Sequence, residues 1–573
     1  MLFDCSNPKT AADFDAYLEK AYQESLALYR LPSTYLGESR YNDTLPNYLS
    51  KEFSTKEIAL NEKYKAGLAQ FPDAILSEDQ RLSKQLMLWE IDIALADKKH
   101  PNHLMPIDQM WSFNLSFGQL ASGQGAQPFL TPQDYRNWLV RVEGYLAWMQ
   151  SAEDNMREGM EKGWVLPTAL IQKVIPQLAQ MVTETPEEHL FYAPIKNIPD
   201  SFGEAEKEEF TTAYVALIQE KVVPAYRRLH DFVAGEYLAA GRKSSGYDAL
   251  AGGADYYQHA IKRYTTTEMT PEEIHQLGLD EVARIRTEME AIKAEVGFEG
   301  DLMAFFDHVR TKEDLMPFDD SQQVIDNFNA IHQKVMPKVN ELFSLQPKTL
   351  FEVRRTEAFR EASASAEYNQ GSLDGTRPGI FYVPIRDVNT YNIHQDEDLF
   401  LHEAIPGHHF QISLQQENTA LPSFRKNLWY SAYGEGWALY TESLGKELGL
   451  YKDPYQYFGM LAAEMHRAIR LVVDTGLHAK GWTREQAIQY SLENESESEV
   501  KITSEIERYM ANPAQALSYK IGQLKIRELR SKAETALGEA FDIREFHRVV
   551  LESGCIPLAF LEDKLNRWIK SQV

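Results

Sequence analysis

Residues 401–411 read LHEAIPGHHFQ and place three histidines and a glutamate within one short stretch of chain. Neutral imidazoles and a carboxylate are donors that suit a catalytic zinc ion, which keeps one coordination position open for water. The usual helical motif, H-E-x-x-H, sets its two histidines one turn apart. Here Pro406 stands four residues after His402, and the chain contains no strict H-E-x-x-H. A zinc site in this stretch therefore needs a different backbone.

Helix geometry predicts a break inside the stretch. On a continuous helix His408 would point about 120° away from His402, and His409 would lie about 10.5 Å further along the axis. Neither pair could bind one zinc ion with bonds of about 2.0–2.1 Å. Pro406 and Gly407 can interrupt a helix, because proline removes a backbone hydrogen bond and glycine tolerates unusual dihedrals. We expect a helix that ends or kinks at Pro406 and brings His408 back beside His402; the alternative is a capping turn followed by surface histidines.

A third ligand is predicted downstream, in YGEGWALYTESL (433–444). On a helix Glu435 and Glu442 share one face, since seven residues return to within about 20° of the same direction. We predict Glu435 as the ligand and Glu442 as a group that orients a histidine through a hydrogen bond. The alternative is an amphipathic helix with two solvated glutamates, which is the more common environment of glutamate.

The composition of the whole chain is that of a globular protein. Of its 573 residues, 43% are hydrophobic and 25% are charged, which excludes a disordered or low-complexity chain. The formal charge of −26 argues against nucleic acid or an anionic membrane as a partner. The two cysteines, Cys5 and Cys555, provide neither a disulfide framework nor a cysteine-based zinc site. No apolar run approaches the ~18–20 residues that span a bilayer.

Apolar residues recur mostly at helical spacing, so the predicted fold class is mainly α, an α-rich α+β fold with a few short strands. A helix at 271–296 begins with cap chemistry at Thr270. Other predicted helices are 10–30, 321–344, 484–492 and 523–538, and predicted strands are 350–354 and 379–383, the latter after the turn DGTRPG (374–379). The Gly- and Ser-rich segment 240–256 divides an N-terminal helical part, 1–245, from a catalytic part, 246–573; a single intertwined domain is the alternative.

The N-terminal residues MLFDCSNPKT lack the basic and apolar regions of a secretory signal. The sequence as given therefore predicts a cytoplasmic protein. If an N-terminal signal has been removed, the prediction changes to a periplasmic or lipid-anchored protein.

Several blocks of the chain resemble the bacterial DUF885 family. They are HEAIPGHHFQ (402–411), EGWALYTE (435–442), DGTRPGIFYV (374–383), YKIGQ (519–523), RYTTTEMTPEEIHQLGLDEV (263–282) and RLVVDTGLHAKGWTREQAI (470–488). DUF885 proteins look like gluzincin-type zinc metallopeptidases, similar to the M32 carboxypeptidases and the angiotensin-converting-enzyme group. The resemblance implies a large helical fold of that type with a deep cleft.

The resemblance also implies roles for individual residues. His402, His408 and Glu435 would bind one Zn²⁺ per chain, and Glu403 would be the general base, with His409 as the alternative second ligand. A tyrosine from a late helix stabilises the oxyanion in the M32 and angiotensin-converting-enzyme relatives. Tyr519 is the candidate for that role here, against the alternative of a core tyrosine.

Substrate-binding candidates come from the residue types. The strand 379–383, which carries Tyr382, is a possible edge for an extended peptide to pair with, or else an ordinary short strand. Arg377, Arg508 and Lys520 could bind the C-terminal carboxylate of a substrate, or could be salt-bridge partners.

The predicted function is a zinc-dependent peptidase that acts on short or unfolded peptides. Two alternatives stay open: a zinc hydrolase of non-peptide amides or esters, and a non-catalytic peptide-binding protein of the same fold. The expected partner is a peptide substrate, with no integral membrane segment, and the oligomeric state is left unassigned.

Overall fold

A computed structural model of the chain describes residues 9–123, 125–357, 361, 364–372 and 377–572. The described residues fall into two compact units. The first unit comprises the chain up to Tyr256 together with Met510–Asn512, and the second comprises Tyr257–Tyr509 and Pro513–Val573. The sequence-based division at 245/246 lies eleven residues before this boundary. Cys5 and residues 374–376 of the predicted turn lie outside the described residues.

The first unit is built from helices. Leu104, Trp164, Tyr247 and Leu250 form one of its buried apolar clusters. Its helices are α1 (Ala11–Tyr29), α2 (Leu31–Tyr35), α3 (Lys51–Leu68), α4 (Glu78–Asp97), α5 (Phe113–Ala121), α6 (Pro132–Lys162), α7 (Thr168–Ala179), α8 (Ala193–Lys196), α9 (Glu204–Leu217), α10 (Val223–Phe232) and α11 (Leu238–Ala240), and α12 (Gly253–Thr265) crosses into the second unit. Two π-helical turns, Ile218–Val222 and Val233–Tyr237, join α9, α10 and α11.

The second unit combines helices with one small sheet. Its elements are α13 (Pro271–Glu295), α14 (Leu302–Thr311), α15 (Ser321–Leu342), β1 (Phe351–Arg355), β2 (Glu367–Asn369), β3 (Gly379–Val383), α16 (Asp396–Glu403), α17 (His408–Glu417), α18 (Ser431–Ser443), α19 (Pro454–Ala479), α20 (Arg484–Asn494), α21 (Glu499–Ala511, whose last two residues belong to the first unit), α22 (Ser518–Leu537), α23 (Ile543–Leu551) and α24 (Leu558–Gln572). The α-rich class with few strands is thereby confirmed.

Local sequence signals explain where several of these helices begin. At the start of α13 the Thr270 hydroxyl accepts from the backbone N–H of Glu273, and the Glu273 carboxylate accepts from the N–H of Thr270. This reciprocal capping box satisfies two donors that a helix N-terminus leaves unpaired. Thr10 and Asp13 form the same arrangement at α1. Both helix starts were predicted from the sequence, and both are confirmed.

The sheet has the strand order β1-β3-β2. β3 pairs in parallel with β1 and antiparallel with β2, so Phe381 lies opposite both Val353 and Tyr368. The prediction that strand 379–383 offers a free edge to a peptide is therefore wrong, because its backbone groups on both sides are already paired. Tyr382, on this central strand, is half-buried.

Two long helix pairs hold the second unit together around its core. α13 packs along α19, and α18 packs along α22. Tyr257, Ile274, Leu471, Leu517 and Ile521 belong to one buried cluster shared by these helices. α18 and α16 also pack against each other, and this contact brings together two separate parts of the candidate site.

Candidate metal centre

His402 lies on the last turn of α16 and is buried. Its Nδ1 is 2.6 Å from Oε1 of Glu442, a buried carboxylate on α18. A carboxylate accepts hydrogen bonds, so this contact assigns the ring proton to Nδ1. The other ring nitrogen, Nε2, faces Glu435, whose Oε2 is 3.7 Å away.

The predicted helix break is present between His402 and His408. α16 ends at Glu403 and α17 begins at His408, so four residues outside a helix separate the two elements. The His402 and His408 rings meet edge to face, with centroids 4.8 Å apart. The indole N–H of Trp437 donates to the carbonyl oxygen of Pro406 at 2.9 Å and ties this connection to α18.

Gly407 is essential to the return of the chain. A Cβ atom at this position would overlap the backbone carbonyl oxygens of Leu401 and His402. The last turn of α16 and the first residue of α17 can therefore approach only because residue 407 lacks a side chain.

Glu435, on the second turn of α18, completes the cluster. Its Oε2 lies 3.4 Å from Nε2 of His408. One ligating atom from each of His402, His408 and Glu435 lies within 4.8 Å of the others, so a single ion could contact all three. The residues that the sequence predicts as zinc ligands are thus brought together in space.

The charges of the cluster depend on one another. Burial lowers the pKa of His402, but its contacts with Glu435 and Glu442 outweigh this effect and raise the pKa to about 10. Burial raises the pKa of Glu435, but the contacts with His402 and His408 hold that pKa well below its usual range. Both directions follow from opposite charges enclosed together.

Two further buried carboxyl groups surround the cluster. Burial raises the pKa of Glu403, against the opposing charges of His402 and His408. Burial, together with the charge of Glu442, raises the pKa of Asp398.

The donor set and its surroundings fit a divalent cation. Four carboxyl groups, those of Asp398, Glu403, Glu435 and Glu442, share the enclosed region with two imidazoles. Keeping all four of these carboxyl groups ionised would be costly without a positive partner. Two imidazole nitrogens and one carboxylate oxygen are the ligands of one class of catalytic zinc site.

Tyr519 lies in the first turn of α22 and is half-buried. Burial and the charge of Glu435 raise the pKa of Tyr519, whereas Arg470 and Arg508 lower it. The guanidinium of Arg470 lies over the Tyr519 ring, 4.5 Å from its centroid. Tyr519 and Glu435 thus interact through their charges, and the oxyanion role of Tyr519 stays a prediction.

One family model matches most of the chain. The family model described as "Bacterial protein of unknown function (DUF885)" matches residues 32–565. The chain belongs to the DUF885 family. A comparison with the curated proteins finds no match.

Two solved structures share the fold of this DUF885 protein. The "putative lipoprotein from Colwellia psychrerythraea" is 29% identical, with a TM-score of 0.88, and the match covers 98% of this chain and all of that one. A "putative lipoprotein of unknown function from Shewanella oneidensis" is 19% identical, with a TM-score of 0.77, over 97% of this chain and 99% of its own. The second likeness concerns the fold alone.

The structure does not bring His409 to the cluster of this DUF885 protein. Its Nδ1 lies 3.0 Å from the Tyr368 hydroxyl, and its ring packs on Phe351 with centroids 5.0 Å apart. Burial lowers the pKa of His409 to about 4. His409 thus joins α17 to the sheet, and the histidine of the pair that belongs to the candidate cluster is His408.

The predicted substrate cations occupy different environments. The ammonium of Lys520 is fully buried, 2.7 Å from Glu464 and 2.8 Å from Glu281, so no surface of Lys520 is available to a substrate. Arg508 is also buried and donates to both carboxylate oxygens of Glu505. Both are ion-pair partners, as the alternative interpretation of these residue types predicted.

Arg377 and Tyr382 are the other two predicted substrate contacts. Arg377 is exposed, and its backbone N–H donates to the Ser372 hydroxyl at 2.9 Å. Tyr382 lies on β3, where its side chain interacts with Arg354. These contacts lie in or beside the sheet, and neither of them involves His402, His408 or Glu435.

Sequence reasoning missed Asp398, Arg467 and Trp429. Asp398 lies one helical turn before His402, a spacing that a search for buried acids on the ligand helix could have found. Arg467, on α19, interacts through its charge with Asp398 and Glu403, and nothing in the local sequence indicates this long-range contact. The Trp429 ring lies 5.8 Å from that of His408.

Proposed function

We propose that this DUF885 protein is a zinc-dependent peptidase that hydrolyses short or unfolded peptides. One observation carries the proposal: Nε2 of His402, Nε2 of His408 and a carboxylate oxygen of Glu435 converge from three helices. A catalytic zinc site typically has three protein ligands and an open fourth position. The His₂Glu donor set matches that pattern.

A zinc ion held by these residues would supply Lewis acidity toward the substrate carbonyl and would make a bound water more acidic. The protein's part is to fix the ligands. Glu442 orients His402 through the 2.6 Å hydrogen bond, and the N–H of Trp437 fixes the connection before His408 through Pro406. Hydrogen bonds of this kind behind the ligands strongly affect metal affinity.

Glu403 is the proposed general base. It follows His402 directly, is buried, and interacts through its charge with both histidines. A carboxylate in this place would take a proton from the attacking water and deliver it to the leaving amine. Tyr519 would donate a hydrogen bond from its hydroxyl to the oxygen on which negative charge develops.

A peptide is favoured over other amides and esters by the family resemblance, and a non-catalytic binding protein is disfavoured by Glu403. A module that only binds peptides has no use for a buried carboxylate beside the metal-facing histidine. A panel of peptides compared with small amides and esters separates the two hydrolase classes.

The first test is the zinc content of purified wild-type protein and two variants. We expect about one zinc per wild-type chain, loss in His408→Ala and retention in His409→Ala, because adjacent His409 faces the sheet. An absence of zinc from wild-type protein after zinc addition would refute the proposal. Loss of zinc in His409→Ala but not in His408→Ala would show that His409, and not His408, is the second ligand.

The second test concerns the base. We expect Glu403→Gln to keep its zinc and to lose peptide hydrolysis, since the amide cannot accept the proton. A matched Glu417→Gln variant, at the end of α17, controls for the loss of a carboxylate. Unchanged hydrolysis in Glu403→Gln would eliminate Glu403 as the base.

We further propose that the protein acts outside the cytoplasm, anchored or free in the cell envelope. The support is the description of the structural neighbour that is 29% identical, the one from Colwellia psychrerythraea, as a lipoprotein. No helix among the described residues is long and apolar enough to cross a membrane. Fractionation of the native host, with detection in the envelope or the cytosol, tests this location.

A further inference from the structure

Trp429 is an exposed indole beside the candidate metal ligands. Its side chain is 45% exposed. No other Phe, Tyr or Trp among the described residues of the second unit is as exposed. The ring centroid lies 5.8 Å from that of His408, with the planes tilted by 55°. Large aromatic rings usually bury most of their surface, so an exposed ring next to a candidate site points to a ligand.

The ring packs closely against the helix that carries Glu435. Gly434, in the first turn of α18, lies directly under the indole, and a Cβ there would overlap the six-membered ring. Trp429 therefore touches the backbone one residue before one candidate ligand and the imidazole of another. The indole bridges both elements and leaves its remaining surface open.

The residues on either side of Trp429 are fixed by hydrogen bonds. The Leu428 carbonyl accepts from Nε2 of Gln415 at 3.0 Å. The backbone N–H of Tyr430 donates to Sγ of the buried Cys555 at 3.1 Å. Because both neighbours are anchored, Trp429 is a preformed surface, which lowers the entropic cost of binding.

We propose that Trp429 forms one wall of a specificity subsite for an apolar side chain of the peptide, next to the bond that is hydrolysed. This inference rests on the proposed peptidase function and deepens it by naming the substrate class. Because Trp429 lies beside His408, the substrate groups that reach its ring would be those close to the reacting carbonyl. Trp429 is thus a residue that determines specificity, not a catalytic residue.

Charge and surface chemistry select an apolar occupant. An aromatic face also attracts cations, but this face adjoins His408, a ligand of a dication in the proposed function, which disfavours a second positive charge. The net charge of −26 disfavours an acidic side chain. An aliphatic or aromatic side chain gains from removing the exposed indole surface from water.

The test compares zinc-loaded wild-type, Trp429→Ala, Trp429→Phe and Trp482→Phe proteins on a peptide series. The series varies the two residues flanking the cleaved bond among Phe, Leu, Ala, Lys and Glu, and mass spectrometry identifies the bond. Trp482 is the control, because it packs on Gly476 and His275 in the same unit. Zinc content and thermal melting check that each variant is folded.

We expect Trp429→Ala to lower kcat/KM at least about tenfold for peptides with Phe or Leu at one flanking position, with little change for Ala. Trp429→Phe should recover part of the preference, and Trp482→Phe should match wild type. Hydrolysis with an unchanged side-chain preference in Trp429→Ala would overturn the subsite and leave the peptidase standing. A preference for Lys or Glu that depends on Trp429 would overturn the apolar assignment.

A binding assay separates this inference from the proposed function. Calorimetry with Glu403→Gln protein measures peptide affinity without turnover, alone and combined with Trp429→Ala. Weaker binding of the Phe peptide in the combined variant supports the subsite even if wild-type turnover is absent. A protein that neither binds nor cleaves any peptide of the series overturns the subsite and the proposed function together.

Discussion

The hydrogen bond between His402 and Glu442 determines which imidazole nitrogen faces the candidate metal centre. A neutral imidazole has one donor and one acceptor nitrogen, and the 2.6 Å contact uses Nδ1 as the donor. Glu442 is held in turn by the packing of α18 on α16, where the Thr441 hydroxyl donates to the Leu401 carbonyl. The carboxylate thereby fixes the ring orientation of His402 and leaves Nε2 as the nitrogen that a metal ion could bind.

Replacement of Glu442 by Ala should lower zinc affinity about 10–100-fold, because His402 would lose its orienting partner. Competition with a chromophoric chelator measures this affinity. The matched control is Glu447→Ala, whose carboxylate pairs with Arg530 at the surface. Equal zinc affinity in Glu442→Ala and wild-type protein would contradict the assigned role of Glu442.

The crossing of α18 and α22 is the contact between elements that places Tyr519 relative to Glu435. The two helices meet at Gly436 and Gly522, and a Cβ on residue 522 would overlap the carbonyl oxygen of Ala432. Such an approach is open only to glycine. This crossing sets the distance between α18, which carries the candidate ligand Glu435, and α22, which carries Tyr519.

Gly522→Ala should destabilise the protein by about 1–3 kcal/mol through overpacking, and it should lower hydrolysis more than zinc content. Urea unfolding gives the first quantity, and metal analysis with a peptide assay gives the others. Gly235→Ala serves as control, because a Cβ at residue 235 meets nothing within 4 Å. A Gly522→Ala protein as stable as wild type would show that the crossing can relax.

Asp396, in the first turn of α16, should make the stability of the protein depend on pH. Burial raises the pKa of Asp396 to about 8, against hydrogen bonds from Tyr391 at 2.9 Å and Asn327 at 2.7 Å. Between pH 4 and 8 the unfolded chain releases this proton while the folded chain keeps it. The contribution of Asp396 to the free energy of unfolding should therefore fall with rising pH, by up to about 1.4 kcal/mol per unit.

Asp396→Asn should remove this slope. Urea unfolding at pH 5, 6, 7 and 8 is the measurement, and the difference between wild type and variant should shift steadily in favour of the variant. Asp319→Asn, at an exposed aspartate, makes the same change in formal charge. A difference that stays constant across the pH range would contradict the raised pKa.

Across the whole molecule, the features predicted from the sequence are those that depend on residues close together in the chain. The helix break before His408 followed from proline and glycine chemistry, and the shared direction of Glu435 and Glu442 followed from helical periodicity. The central position of β3 was not predicted, and an ion pair of Lys520 was predicted only as an alternative, without its partners or its burial. Glu281 and Glu464, which neutralise Lys520, lie on other helices, and no local pattern records such long-range contacts.

The enclosed carboxyl groups link metal binding to the stability of the second unit. Asp398, Glu403 and Glu442 are buried and Glu435 is half-buried, so keeping all four ionised is costly, and zinc would relieve that cost. A ligand that binds only the folded state stabilises it by about 4 kcal/mol when present at 1,000 times its Kd. We therefore expect chelation of zinc to lower the melting temperature of the wild-type protein by several degrees.

Differential scanning calorimetry before and after dialysis against a chelator is the measurement, and added zinc should restore the original transition. His408→Ala protein should melt at the same temperature with and without the chelator, because it lacks a ligand. The transition that shifts should be the one that includes the second unit, which holds the candidate ligands. A wild-type melting temperature that does not respond to chelation or added zinc would mean that the cluster binds no zinc. The buried carboxyl groups would then be neutral because they are protonated.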